Sequence, residues 1–114
     1  MSLDLSLYTT VSVGQGPEDL TMAEFNITHN LTDMAKAAGI YHVLWRPEEC
    51  GIQQASQLIN PLKEGLAKLE DDPARFAVHN PSNGWGSYGA FVDFVRQVLQ
   101  ACEDRPSLKV RAWR

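Results

Sequence analysis

The 114 residues make one ordinary domain, 1–114, long enough to bury a single core and too short for two. Hydrophobic residues at 44% and charged residues at 21% exclude disordered, collagen-like and low-complexity classes, and a formal charge of −4 argues against the basic stripe of a phosphate-backbone binder. No apolar run approaches the ~18 residues needed to cross a bilayer, and no secretion signal is visible, so the expected setting is cytoplasmic, with neither membrane nor nucleic acid as a partner.

Strict alternation of Leu3, Leu5, Leu7, Thr9, Val11 and Val13 with polar neighbours predicts a strand over 3–13 with one buried face. Gly14-Gln15-Gly16-Pro17 breaks it. A second extended run at 22–28 places Ala23, Phe25 and Ile27 on one side, which predicts a hairpin with a long, mobile connection. Asn30 is placed to cap a short helix through Leu31, Met34, Ala35 and Ala38 that ends at Gly39. Residues 40–45 are apolar and aromatic, a third short strand or a buried connection.

Pro47 fits the first position of the next helix, whose apolar face reads Ile52, Ala55, Leu58, Ile59, Leu62, Leu66 and Leu69. Pro61 within it predicts a kink or two shorter helices. Asp71-Asp72-Pro73 stops that helix, 76–88 reads as a loop, and Ser87 caps a last helix carrying Phe91, Val92, Val95, Val98, Leu99 and Cys102. After Pro106 the alternation of Leu108, Val110 and Ala112 predicts a C-terminal strand. The order implies an α+β domain, a small antiparallel sheet of N-terminal hairpin plus C-terminal strand covered on one face by about three helices.

Two segments concentrate side chains able to make directed contacts. Asn26-Ile27-Thr28-His29-Asn30 lies at a strand-to-helix junction, where Asn26 and Thr28 share a face and free backbone N–H groups project. His29 reads either as a partly buried, hydrogen-bonded histidine or as a ligand-binding or acid–base group. The second segment runs from His79 to Tyr88. Asn80 and Asn83 offer amides, Gly84 and Gly86 leave Trp85 free to stand out or to plug the core, and Tyr88 supplies a second ring with a polar tip. Arg46 adds a cation, for an anion or for Glu49.

No P-loop, GxSxG, HExxH or EF-hand pattern occurs, His29, His42 and His79 lack metal-ligand spacing, and nothing calls for a cofactor. Cys50 and Cys102 are too few for a disulfide framework; both read as reduced, with Cys102 in the core. Asn26-Ile27-Thr28 and Asn30-Leu31-Thr32 match the glycosylation acceptor pattern, which a cytoplasmic chain does not use.

The segments Asn26–Asn30, Leu44-Trp45-Arg46-Pro47 and Asn80–Tyr88, with Ala38-Gly39-Ile40-Tyr41 and Ala101-Cys102, resemble a group of small uncharacterised proteins of bacteriophages and bacterial genomes. The resemblance runs from about residue 22 onward and implies a setting, a phage-infected or bacterial cell, without implying a reaction.

Three readings follow. In the first, Asn26, Thr28, His29, Asn30, Arg46, Asn80, Asn83, Trp85 and Tyr88 converge on a pocket for a nucleotide-like or other polar small ligand, a host factor or signal. The second is an interaction or assembly protein, binding a host protein or forming a homo-oligomer through strand edges. The third is a small enzyme with His29 as general acid or base, though no carboxylate or nucleophile is spaced to support it.

Overall fold

The computed structural model describes all 114 residues. Strand β1 (Ser2–Val13) is central in an antiparallel sheet of order β2-β1-β3, between β2 (Gly16–Thr28) and β3 (Lys109–Trp113). Between the hairpin and β3 come five helices: α1 (Thr32–Ala37), α2 (Tyr41–Trp45), α3 (Ser56–Asp71), α4 (Pro73–Ala77) and α5 (Tyr88–Asp104). This is the small α+β architecture that the alternating and helical patterns predict.

The inward parity of β1 buries Leu3, Leu5 and Leu7 completely, and Ile27 follows from β2. The helices lie on this face, with Trp45 and Leu44 of α2, Leu58, Leu62 and Leu69 of α3, Phe76 of α4 and six apolar residues of α5 from Phe91 to Leu99 completing one core. The opposite face is polar and uncovered. There Asp4, Ser6 and Tyr8 of β1 stand between Asn26, Glu24 and Thr21 of β2 and Trp113, Arg111 and Lys109 of β3.

Four local expectations are corrected. The hairpin has no long connection: Val13 pairs with Gly16, so only Gly14 and Gln15 form the turn, and residues 16–21 are strand. Pro17, Glu18 and Asp19 hide that strand from a hydrophobic reading, because a ladder forms through the backbone and an edge strand tolerates a proline. Of residues 40–45, Tyr41–Trp45 form α2 rather than a strand or connection, the ambiguity inherent in a short apolar run. Pro47 opens a 3-10 turn (Pro47–Cys50) that ends at Gly51, and the long helix starts only at Ser56. That helix runs unbroken through Pro61, whose position in the second turn costs one hydrogen bond near the helix start.

The cap on α1 also shifts. A 3-10 turn at His29–Leu31 precedes the helix and is capped by Thr28, whose Oγ1 accepts from the Asn30 N–H at 3.2 Å, while the cap position of α1 falls on Leu31, not Asn30, and carries no side-chain cap bond. Asp72 and Pro73 both end α3 and start α4, with the Asp72 carboxylate accepting from Arg75 N–H at 3.3 Å. Ser87 caps α5 as its sequence predicts, accepting from Ala90 N–H at 3.1 Å.

The molecule measures 52 × 27 × 22 Å, and the long axis belongs to the hairpin. β3 pairs with β1 only from Asp4 to Tyr8, so Thr9–Val13 continue past it for about 17 Å at ~3.3 Å per residue. No residue between Tyr8 and Met22 belongs to the core or packs against it. The outer hairpin is an arm.

Candidate functional site

The two polar segments meet. Gly86 has φ +106°, a value that favours glycine, and a Cβ there would lie 2.8 Å from Thr28 Cγ2 and 3.1 Å from Leu31 Cγ. The 80–88 loop therefore sits directly on the Thr28–Leu31 turn, and Asn30 Nδ2 donates to the Trp85 carbonyl at 3.3 Å.

Most of their hydrogen-bonding groups are already engaged within the chain. Asn80 Oδ1 accepts from Tyr88 N–H at 2.8 Å and Asn83 Oδ1 from Trp85 N–H at 2.9 Å, so both asparagines hold the loop's own backbone. Tyr88 is half-buried and its hydroxyl donates to the Leu69 carbonyl, tying the loop to α3. Asn26 Nδ2 donates across the open sheet face to Ser2 Oγ at 2.9 Å and Asp4 Oδ1 at 2.7 Å.

His29 is half-buried, and its Nδ1 accepts from the indole N–H of Trp45 at 2.9 Å. Trp45 is 1% exposed, so His29 supplies the acceptor that lets this ring be buried whole. An accepting Nδ1 places the imidazole proton on Nε2 in the neutral ring. No carboxylate is hydrogen bonded to His29, so the structure gives it no partner for acid–base work.

Arg46 stands apart, at the end of α2. It donates from Nε to Tyr41 Oη at 3.3 Å and pairs with Glu49 at 2.7 Å, and these two bonds raise its pKa further above the usual arginine value. Tyr41 stacks on Trp45 at 5.5 Å and lies under Lys36 Nζ at 4.9 Å. Apart from Asn26, none of the nine residues lines one of the five principal clefts. Trp85 alone of the group projects freely, 71% exposed.

The strand at 3–13 is long enough by its sequence to project beyond a small domain and offer an edge, and the structure shows which of its residues are free. Val110 N–H donates to the Gln53 carbonyl and Ala55 N–H to the Leu108 carbonyl, so Leu108 and Val110 turn away from β1. By strand alternation Lys109 and Arg111 turn toward β1, opposite Tyr8 and Ser6. Thr10 and Ser12 face the same edge with no strand beside them, and offer their N–H and C=O groups to solvent. The signal was present in the sequence: Tyr8-Thr9-Thr10-Val11-Ser12-Val13 carries no charge and no proline, and is rich in β-branched residues.

The arm's two edges differ. The β2 edge carries Pro17, Glu18, Asp19 and Glu24, with Met22 unpaired at a bulge opposite Leu7/Tyr8, all features that discourage strand addition. Thr9–Val13 of the β1 edge carry none of these, and the one charge that reaches them is Lys109 Nζ of β3, which donates to Thr10 Oγ1 at 3.0 Å. The arm is held straight at its root: Asp19 accepts from Thr10 Oγ1 at 3.0 Å and pairs with Arg111 at 2.7 Å, and the Arg111 guanidinium lies 4.1 Å over the Tyr8 ring. The Arg111 and Thr10 hydrogen bonds hold the Asp19 carboxyl below its ordinary value.

No cluster of three or more His, Cys, Asp or Glu side chains could hold a metal, and no helix is long and apolar enough to cross a membrane. No protein-family model matches the chain, and neither a curated protein nor a solved structure matches it.

Proposed function

We propose that this chain is a protein-interaction module whose contact element is the hairpin arm, and whose mode of contact is strand addition at the β1 edge, Thr9–Val13. One observation carries the reading: an uncharged, β-branched edge runs clear of the fold for five residues while the other edge of the same arm is guarded by charge, proline and a bulge. Backbone hydrogen bonds from Thr10 and Ser12 would supply affinity, and the exposed Val13 and Leu20 side chains the selectivity. On the resemblance to phage and bacterial proteins, the partner is expected in a bacterial cell, a host protein segment among the candidates.

Selection from a random displayed-peptide library tests it. Peptides of extended, β-branched character are expected to bind the wild-type protein and to lose at least tenfold in affinity for Ser12→Pro, which deletes one edge N–H. Binders indifferent to Ser12→Pro, or no binders, would refute the reading.

The exposure of Trp85 favours a second reading, a polar small ligand stacked on that ring beside Asn30. Non-denaturing mass spectrometry would then find a small molecule retained by the wild type and lost from Trp85→Ala. A clean mass in both proteins removes it.

A further inference from the structure

We propose that the segment added to the β1 edge is the same edge of a second copy: Thr9–Val13 of two chains pair antiparallel about a two-fold axis at Val11. The inference rests on the strand-addition reading above and names its partner.

The register follows from which groups are free. Thr10 and Ser12 present their N–H and C=O groups to the edge, and pairing with β3 stops at Tyr8. A two-fold axis at Val11 sets Thr10 opposite the partner's Ser12 and Ser12 opposite the partner's Thr10. Each pair exchanges both hydrogen bonds, so all four free groups of each chain are satisfied in four bonds. An axis at Thr10 would drive the partner's Ser12 against Tyr8, whose edge Lys109 already occupies. The five free residues are centred on Val11, so this register uses the whole segment.

Composition favours self-pairing. A two-fold axis makes every residue meet its own kind or its symmetry mate, and a charge on the segment would then face a like charge. Thr9, Thr10, Val11, Ser12 and Val13 carry none, whereas the β2 edge with Glu18, Asp19 and Glu24 would repel itself. The register also gives the arm tip a seat. The partner's Val13 falls opposite Thr9, one residue along from Tyr8, which with Ile52, Gln54, Lys109 and Val110 lines a cleft of about 470 Å³.

The area sets the strength. Strand pairing over five residues a side buries on the order of 600 Å² in total, about half of the ~1,200 Å² at which stable complexes begin, and the two tips in the two clefts add to it. The association is therefore reversible, in the micromolar range or weaker.

Sedimentation equilibrium of the wild type between about 10 µM and about 1 mM is expected to show the average mass rising from monomer toward dimer. Ser12→Pro removes two of the four bonds by symmetry, and the N–H it deletes faces solvent in the monomer, so it is expected to weaken association at least tenfold. A wild type that stays monomeric overturns the second copy as partner while library binders lost on Ser12→Pro would still sustain strand addition. A dimer untouched by Ser12→Pro overturns pairing of the two β1 edges, and library binders equally indifferent to Ser12→Pro overturn strand addition itself.

Register is tested by cross-linking in a Cys50→Ser background. Val11 and the partner's Val11 form a pair without mutual hydrogen bonds, with Cα atoms ~4.5 Å apart, inside the range a disulfide spans. Val11→Cys is expected to give a covalent dimer under oxidised glutathione, and Leu20→Cys, exposed on the other strand, to stay monomeric. Equal rates for the two variants, or no cross-link at Val11→Cys, overturn the two-fold at Val11.

Discussion

Replacing His29 by alanine isolates the one polar contact that reaches into the aromatic core. The Trp45 ring is buried and its N–H has a single acceptor, His29 Nδ1 at 2.9 Å. Alanine leaves that donor without a protein partner, a loss of about 1–3 kcal/mol for a buried group. His29 is half-buried rather than enclosed, so water can enter the space it vacates and accept from the indole, which places the cost at about 1–2 kcal/mol. For 114 residues the unfolding entropy is roughly 0.24 kcal/mol/K, so Tm is expected to fall by about 4–8 °C. Trp45→Phe removes the donor, and in that background His29→Ala is expected to cost about 1 kcal/mol less. His29→Gln, which retains an acceptor, is expected to recover part of the loss. Urea unfolding of the four members of the cycle measures the coupling. A coupling energy near zero would refute the assignment of His29 to the support of Trp45.

Gly65 of α3 is buried, and a Cβ there would lie 2.4 Å from Ile40 Cγ2, so Gly65→Ala sets a helix-propensity gain of up to ~1 kcal/mol against overpacking of ~1–3 kcal/mol. A net loss is expected in the urea midpoint, less than additive with Ile40→Ala; a stabilised Gly65→Ala would show that α3 and the α1–α2 turn are not packed this closely. The depressed Asp19 carboxyl contributes to arm order fully above its ordinary value of 3.8, and the contribution is lost as pH falls through the lower folded value. Amide shifts of Thr10 and Asp19 followed from about pH 6 to about pH 2 are expected to show this inflection, and Asp19→Asn to abolish it; an inflection that survives Asp19→Asn counts against the Arg111 pair as the arm's brace. Burial pushes the Cys102 thiol up to about 12, while Cys50 is exposed. A thiol reagent at about pH 8 is expected to modify one cysteine in the native protein and two in denaturant. Two fast native thiols would contradict the packing of α5.

Elements whose residues repeat on one face were legible. The alternation through Leu3, Leu5 and Leu7 and the helical spacing of Phe91, Val95, Val98 and Cys102 place β1 and α5 where they are, with Ser87 as the cap. β2 was half legible, because residues 16–21 are strand through a backbone ladder that Pro17, Glu18 and Asp19 do not advertise. α2 was not legible, since the five residues Tyr41–Trp45 are too few for a period to declare itself. Of the candidate site, the meeting of Asn30 with the Trp85 carbonyl accords with two polar segments in one small domain. The roles of Asn80, Asn83 and His29 within it depend on partners at Tyr88, Trp85 and Trp45 that residue spacing does not reveal.

The sequence by itself determined an acidic single domain, its α+β order, a buried β1 face and a capped C-terminal helix, because composition and periodicity are local and each apolar face must find cover. Only the tertiary structure decided that the shorter β3 accompanies β1 over Asp4–Tyr8 and no further. That difference in length, five residues of strand against nothing, turns the end of a regular hairpin into an arm with one open edge. Strand pairing is a property of two segments and their register, and neither segment states alone how far its neighbour will accompany it.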